Sequence, residues 1–153
     1  MRSRTILARA AVAIGLIATG AVAATPAEQI AARQQNFKGM GRAFKNVNDE
    51  LKKDTPSLAI VRPYSAALAR FGTQLPGWFP AGTSLQTGIK TGAKPEIWTD
   101  RAGFARAANN LRTASANLAR VSRGNDVAAI SAAARALGGA CKGCHDSFRA
   151  KTD

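Results

Sequence analysis

A chain of 153 residues has room for one domain with a real core and is too short for two. Alanine and long side chains dominate without Val/Ile/Thr alternation, which leans helical and argues against a sheet protein. The formal charge of +13 is scattered rather than interleaved with aromatics, so it describes a solvated basic surface biased toward acidic partners and no nucleic-acid interface.

The N-terminus reads as a cleavable secretory signal. Arg2, Arg4 and Arg9 supply a basic segment, Ala10 to Gly20 an apolar one, and Ala21 to Ala24 a run of small residues suited to cleavage. The apolar run falls short of the ~20 residues that span a bilayer, so no membrane span is expected after signal removal. Residues 1–24 are therefore assigned to the signal and 25–153 to the mature domain, which is expected to work in the periplasm. Loss of the three signal arginines leaves +10, because all nine acids follow them.

Four segments carry apolar residues alternately three and four apart, the spacing of one helical stripe. The first holds Ile30, Phe37, Met40, Phe44, Val47 and Leu51, with Arg33 at a seam position. The second runs from Val61 through Tyr64, Leu68 and Phe71 to Leu75. Thr55-Pro56 resembles its cap and first helical residue, and Pro63 should kink this helix or mark its true start. A Gly/Pro-rich connection follows from Gly72 to Glu96, long enough to suggest a function or a long span.

The third stripe runs from Phe104 to Val121 and the fourth from Val127 to Phe148, divided by Arg123-Gly124-Asn125-Asp126. Each stripe needs a partner, so the fold class is all-α, with the helices packed as a four-helix bundle.

The only two cysteines and the only histidine stand together as Cys141-Lys142-Gly143-Cys144-His145. Cys-x-x-Cys-His is the attachment signature of haem c. Residues three apart share a helix face, so both thiols can reach the vinyl groups along one porphyrin edge, while His145 can turn its imidazole to the iron. Other readings carry less. A disulfide here closes only a small loop; a thiol-disulfide oxidoreductase wants a strand-turn-helix setting that the sequence lacks; zinc needs further ligands, and the chain has no other Cys or His.

The chain resembles cytochrome c′, the class II c-type cytochromes, along essentially the whole mature sequence. The resemblance rests on ARQQNF, on LPGWFPAGT followed by AKPEIW, and on GGACKGCHDSFR, with the haem motif near the C-terminus as this class has it. It implies an antiparallel up-down four-helix bundle with one covalently bound haem c, cofactor-binding residues Cys141, Cys144, His145, Arg33, Phe37 and Arg149, and His145 as the metal ligand. Within that pattern Arg33 approaches a haem propionate, Phe37 occupies the distal position, and Arg149 lies beside the proximal face.

The distal residue separates two functions. Phe37 cannot ligate iron; if it faces the metal, the haem is five-coordinate and high-spin, open to small gases such as nitric oxide (and CO), and able to carry electrons. If Met40, about 60° around the helix at ~100° per residue, is the sixth ligand instead, the protein is a low-spin c-556-like electron carrier. The resemblance further implies a homodimer packed through the first two helices, redox protein partners, and no enzymatic activity.

Overall fold

The computed structural model describes residues 23–151. Apart from Ala23 and Ala24, the expected signal segment lies outside the described residues. Helix α1 spans Pro26–Leu51 and opens with a reciprocal cap: the Glu28 amide donates to Thr25 Oγ1 at 3.3 Å, while the Thr25 amide donates to Glu28 Oε2 at 2.7 Å. Pro26 adds a fixed φ at the first helical position, where its missing N–H costs no helical bond.

Helix α2 spans Leu58–Gln74, α3 is the single turn Glu96–Thr99, α4 spans Arg101–Val121 and α5 spans Val127–Phe148. Asp100 caps α4 by accepting from the Gly103 amide at 2.9 Å, and Asp126 caps α5 by accepting from the Ala129 amide at 2.9 Å.

All four striped segments are helical, and two of the sequence expectations are corrected at α2. The helix starts after Ser57 and not at Thr55-Pro56. Pro63 also does not mark the start, since it lies inside the helix, where it removes one amide donor from the ladder. Pro63 and Ala59, whose carbonyl loses its partner, are both exposed, so water can take up the orphaned acceptor. The single turn α3 is an addition to the four expected helices.

α1 packs on α2, α2 on α4 and α4 on α5, whereas α1 meets α5 only sparingly. Val47, Val61, Leu68, Leu111, Leu118, Ile130 and Leu137 form the shared core. A close approach of α2 to α4 is made possible by Gly72: a methyl there would fall against Ser115 Oγ and lie 3.2 Å from the Arg112 Cα.

The bundle has two chemically different ends. At one, polar groups close the chain turns. Glu50 Oε1 accepts from the Ser57 amide at 2.8 Å, and Arg62 donates to the Ser122 carbonyl at 3.0 Å and to Asn125 Oδ1 at 2.9 Å. At the other end the start of α1, the finish of α2, the start of α4 and the finish of α5 converge with the long connection. This end collects the aromatic residues and the Cys-x-x-Cys-His motif. No helix among the described residues is long and apolar enough to cross a membrane.

Candidate functional site

The motif occupies the last turns of α5, and its two cysteines enter different parts of the interior. Cys141 packs against the main core, while Cys144 packs against a second cluster built on Ala93, Ile97 and Phe148. No disulfide joins them. Burial pushes the Cys144 thiol up, and burial followed by the neighbouring Cys144 does the same at Cys141. A redox dithiol needs the opposite, a thiolate stabilised near neutral pH, so this environment disfavours the oxidoreductase reading. Among the described residues no group of three or more Cys, His, Asp or Glu could hold a metal ion, which leaves the zinc reading without a ligand set.

His145 is exposed on the face of α5 next to Cys144. Partial burial of its ring and then the Arg149 guanidinium hold its imidazole below the usual histidine range, against a smaller opposing pull from Asp146. A neutral imidazole is the form that can donate a lone pair to a metal.

Arg149 is exposed and caps α5, its amide donating to the His145 carbonyl at 3.1 Å. Its backbone is extended and bridges Ala93, flanked by bonds from the Lys94 amide to the Phe148 carbonyl (3.0 Å) and from the Ala150 amide to the Gly92 carbonyl (2.8 Å). The long connection is thereby tied to the residues just beyond the motif.

Phe37, on α1, belongs to an aromatic cluster. Its ring meets Trp78 edge-on at 5.2 Å and Phe79 at 6.0 Å; Phe79 meets Phe104 at 5.1 Å, and Phe104 meets Phe148 at 5.5 Å. The chain of rings runs from the first helix to the end of the last. Met40, 8% exposed, is itself a residue of the main core, against which the partly buried Phe37 also packs.

Arg33 is 2% exposed, and burial lowers its pKa. Its Nη1 donates to Thr83 Oγ1 at 3.0 Å and reaches the Trp78 carbonyl at 3.5 Å, while Nη2 donates to the Thr83 carbonyl and to Thr91 Oγ1, each at 3.1 Å. The guanidinium also stands 4.8 Å from the centre of the Phe79 ring. Every partner is neutral, and among the described residues no carboxylate pairs with it. A cation this deep without a counter-charge is costly, and a haem propionate would supply the missing anion.

Sequence reasoning placed Arg33, Phe37, Cys141, Cys144, His145 and Arg149 at one site. In the structure Phe37 and Cys141 pack against the main core and Cys144 against the second cluster, Phe79 packs against both and lies under the Arg33 guanidinium, and His145 and Arg149 are exposed. The structure adds Thr83 and Thr91, which hold Arg33 from positions 50 and 58 residues away, and Phe79, which joins Arg33 to the other rings. A pair of threonines in a Gly/Pro-rich connection carries no local signal of such a role.

Residues 28–149 match the family model of cytochrome C′. The chain belongs to the cytochrome c′ family. It is 36% identical to cytochrome c′ of Rhodospirillum rubrum over 142 residues, 92% of this chain and 95% of that one. Identity to cytochrome c′ of Rhodopseudomonas palustris is also 36%, over 94% of this chain and 97% of the relative.

Among solved structures, cytochrome c′ from Rubrivivax gelatinosus superposes with a TM-score of 0.74 at 33% identity, covering 81% of this chain and 96% of its own. A cytochrome c′ described as having ligand-controlled dimer dissociation superposes at 0.79, with 26% identity over 85% of this chain and all of its own. Cytochrome c′ is itself a standard example of the up-down four-helix bundle, and the order of packing here is of that kind.

As a member of the cytochrome c′ family, the chain is a monohaem c-type cytochrome, with one haem c held covalently through Cys141 and Cys144. The residues fit that group. Two thiols a helical turn apart form the tether, α1 and α5 are sparsely packed against each other at the level of the bundle, and a buried guanidinium lacks an anion. When bound, haem iron supplies the ligand-binding and one-electron chemistry.

Proposed function

We propose that this chain is a periplasmic, five-coordinate high-spin cytochrome that binds nitric oxide and CO and passes single electrons. The observation that carries this is the difference between Phe37 and Met40: Phe37 is only partly buried and stands among the rings of the motif-bearing end, while Met40 is buried within the core. Phe37 offers neither a lone pair nor a hydrogen-bond donor, so the distal face gives no protein ligand and does nothing to favour bound oxygen. Its bulk limits which ligands enter. His145, held neutral, would ligate the iron, with Arg149 near it on the same chain segment.

Arg33 orients the cofactor through a propionate while fixing the long connection through Thr83 and Thr91. Gas binding is further supported by a cytochrome c prime from Alcaligenes xylosoxidans, 26% identical with a TM-score of 0.75, of which a variant was solved with carbon monoxide bound. The role is sequestration and redox cycling rather than dedicated catalysis.

Export follows from residues 1–24 acting as a signal, and the cap of α1 at Thr25 supports a mature domain that begins there. Protein recovered from the periplasm should start at Ala24 or Thr25 by N-terminal sequencing. The dimer described for one structural neighbour supports a homodimer here through α1 and α2, where Ile60 stands 42% exposed. Sedimentation measures that directly.

The decisive test of the site is an optical spectrum of the matured protein. A high-spin ferrous spectrum that changes on adding nitric oxide or CO is expected. A sharp low-spin ferrous α band would transfer the sixth position to Met40 and make the protein a c-556-like electron carrier.

A further inference from the structure

A cavity of about 460 Å³ lies on the flank of the motif-bearing end, between the connection after α2 and the outer side of α4. None of Arg33, Phe37, Cys141, Cys144, His145 or Arg149 lines it. Its floor is apolar and aromatic, made by Phe79, Trp98, Phe104, Ala105 and Ala108, and Arg101 and Arg112 contribute guanidinium groups to its lining. The size lies within the range of small-molecule sites, and an apolar floor with few polar groups is their usual composition.

The two arginines are exposed, and neither forms an ion pair among the described residues. Arg112 donates to the neutral Asn109 Oδ1 at 2.7 Å. Arg101 occupies the first turn of α4, where the helix dipole favours an acid and disfavours a cation. Two uncompensated guanidinium groups beside an aromatic floor complement one kind of molecule, a ring system carrying a carboxylate.

We propose that this groove is a second ligand site, distinct from the haem site, that takes a small aromatic carboxylate: its ring lies on Phe79, Trp98 and Phe104 and its carboxylate pairs with the guanidinium at one end of the groove, Arg101 or Arg112, which stand about three helical turns apart on α4. The floor is shared with the haem-bearing side. Phe79 also stacks under the Arg33 guanidinium and touches Phe37, and Phe104 packs in the cluster that holds Cys144. Occupancy is therefore felt at the haem through Phe79 and Phe104, without any ligand reaching the iron.

The test uses the haem-loaded protein and calorimetric titration with 2-naphthoate, with 2-naphthalenemethanol as the uncharged analogue. The expected result is 1:1 binding of naphthoate, at least about tenfold tighter than the alcohol, with a small shift of the Soret band at saturation. Arg101→Gln with Arg112→Gln should erase that preference, and Ala105→Trp should fill the groove and abolish binding. All three positions are exposed, so an unchanged far-ultraviolet spectrum is expected of each variant. The proposal is overturned by absence of binding, by equal affinity for the acid and the alcohol, or by binding that survives Ala105→Trp.

Discussion

Met40 and Phe37 are neighbours on one helix with different tasks, and substitution separates them. Met40→Ala removes a core side chain and should cost about 2–4 kcal/mol of stability in chemical denaturation, while the spin state of the haem stays as it was. A change from low to high spin would instead identify Met40 as a ligand. With Phe37 over the distal face as proposed, Phe37→Leu reduces the bulk there, so CO affinity should rise by roughly tenfold, or about 1.4 kcal/mol, in an equilibrium titration. Arg33→Leu leaves Thr83 and Thr91 without their donor and removes the proposed counter-charge of a propionate. A loss of about 3 kcal/mol is expected in denaturant unfolding. At this scale the motif was legible because its chemistry is local, two thiols and an imidazole within five positions. The threonines that hold Arg33 were not, since that contact exists only once the connection has folded back over α1.

Among the elements, the four long helices were legible because each repeats its apolar residues at helical spacing and each buries that stripe. The start of α2 was misread for a physical reason. Thr55-Pro56 has the residue types of a helix start, but the buried Glu50 accepts the Ser57 amide and so fixes the boundary from the preceding helix. The turn α3 is too short to show any period. Two substitutions test the packing of α2. Gly72→Ala brings a methyl against Ser115 and the backbone of α4 and should destabilise by about 1–3 kcal/mol, read as a lower Tm. Pro63→Ala restores an amide donor within an exposed helical face and should raise stability, by about 1–3 kcal/mol, in the same measurement.

For the molecule as a whole, charge and acid sensitivity follow from few groups. The formal +10 left on residues 25–153 after loss of the three signal arginines from +13 repels itself, so Tm should rise as salt is added from low ionic strength toward ~0.15 M, where screening acts over about 8 Å. Acidification acts most specifically at the polar end. The Lys53 ammonium, and then the Ser57 amide, hold the Glu50 carboxyl below the usual glutamate range. A depressed folded pKa contributes stability that is fully present above the unfolded value of ~4.3 and disappears as pH falls through the lower folded value. Acid unfolding monitored between those limits should therefore begin at higher pH in Glu50→Gln, which has already lost the contribution.

The backbone bridge between Ala93 and Arg149 sets how the cofactor end breathes. The connection is fastened there by the amides of Lys94 and Ala150, two backbone hydrogen bonds, whereas the long helices are held to one another by buried apolar side chains. Such a clasp can release as a unit while the helical core stays closed. The Lys94 and Ala150 amides should then exchange with deuterium together and well before that of Val47, giving a clock for the crevice that runs independently of the iron.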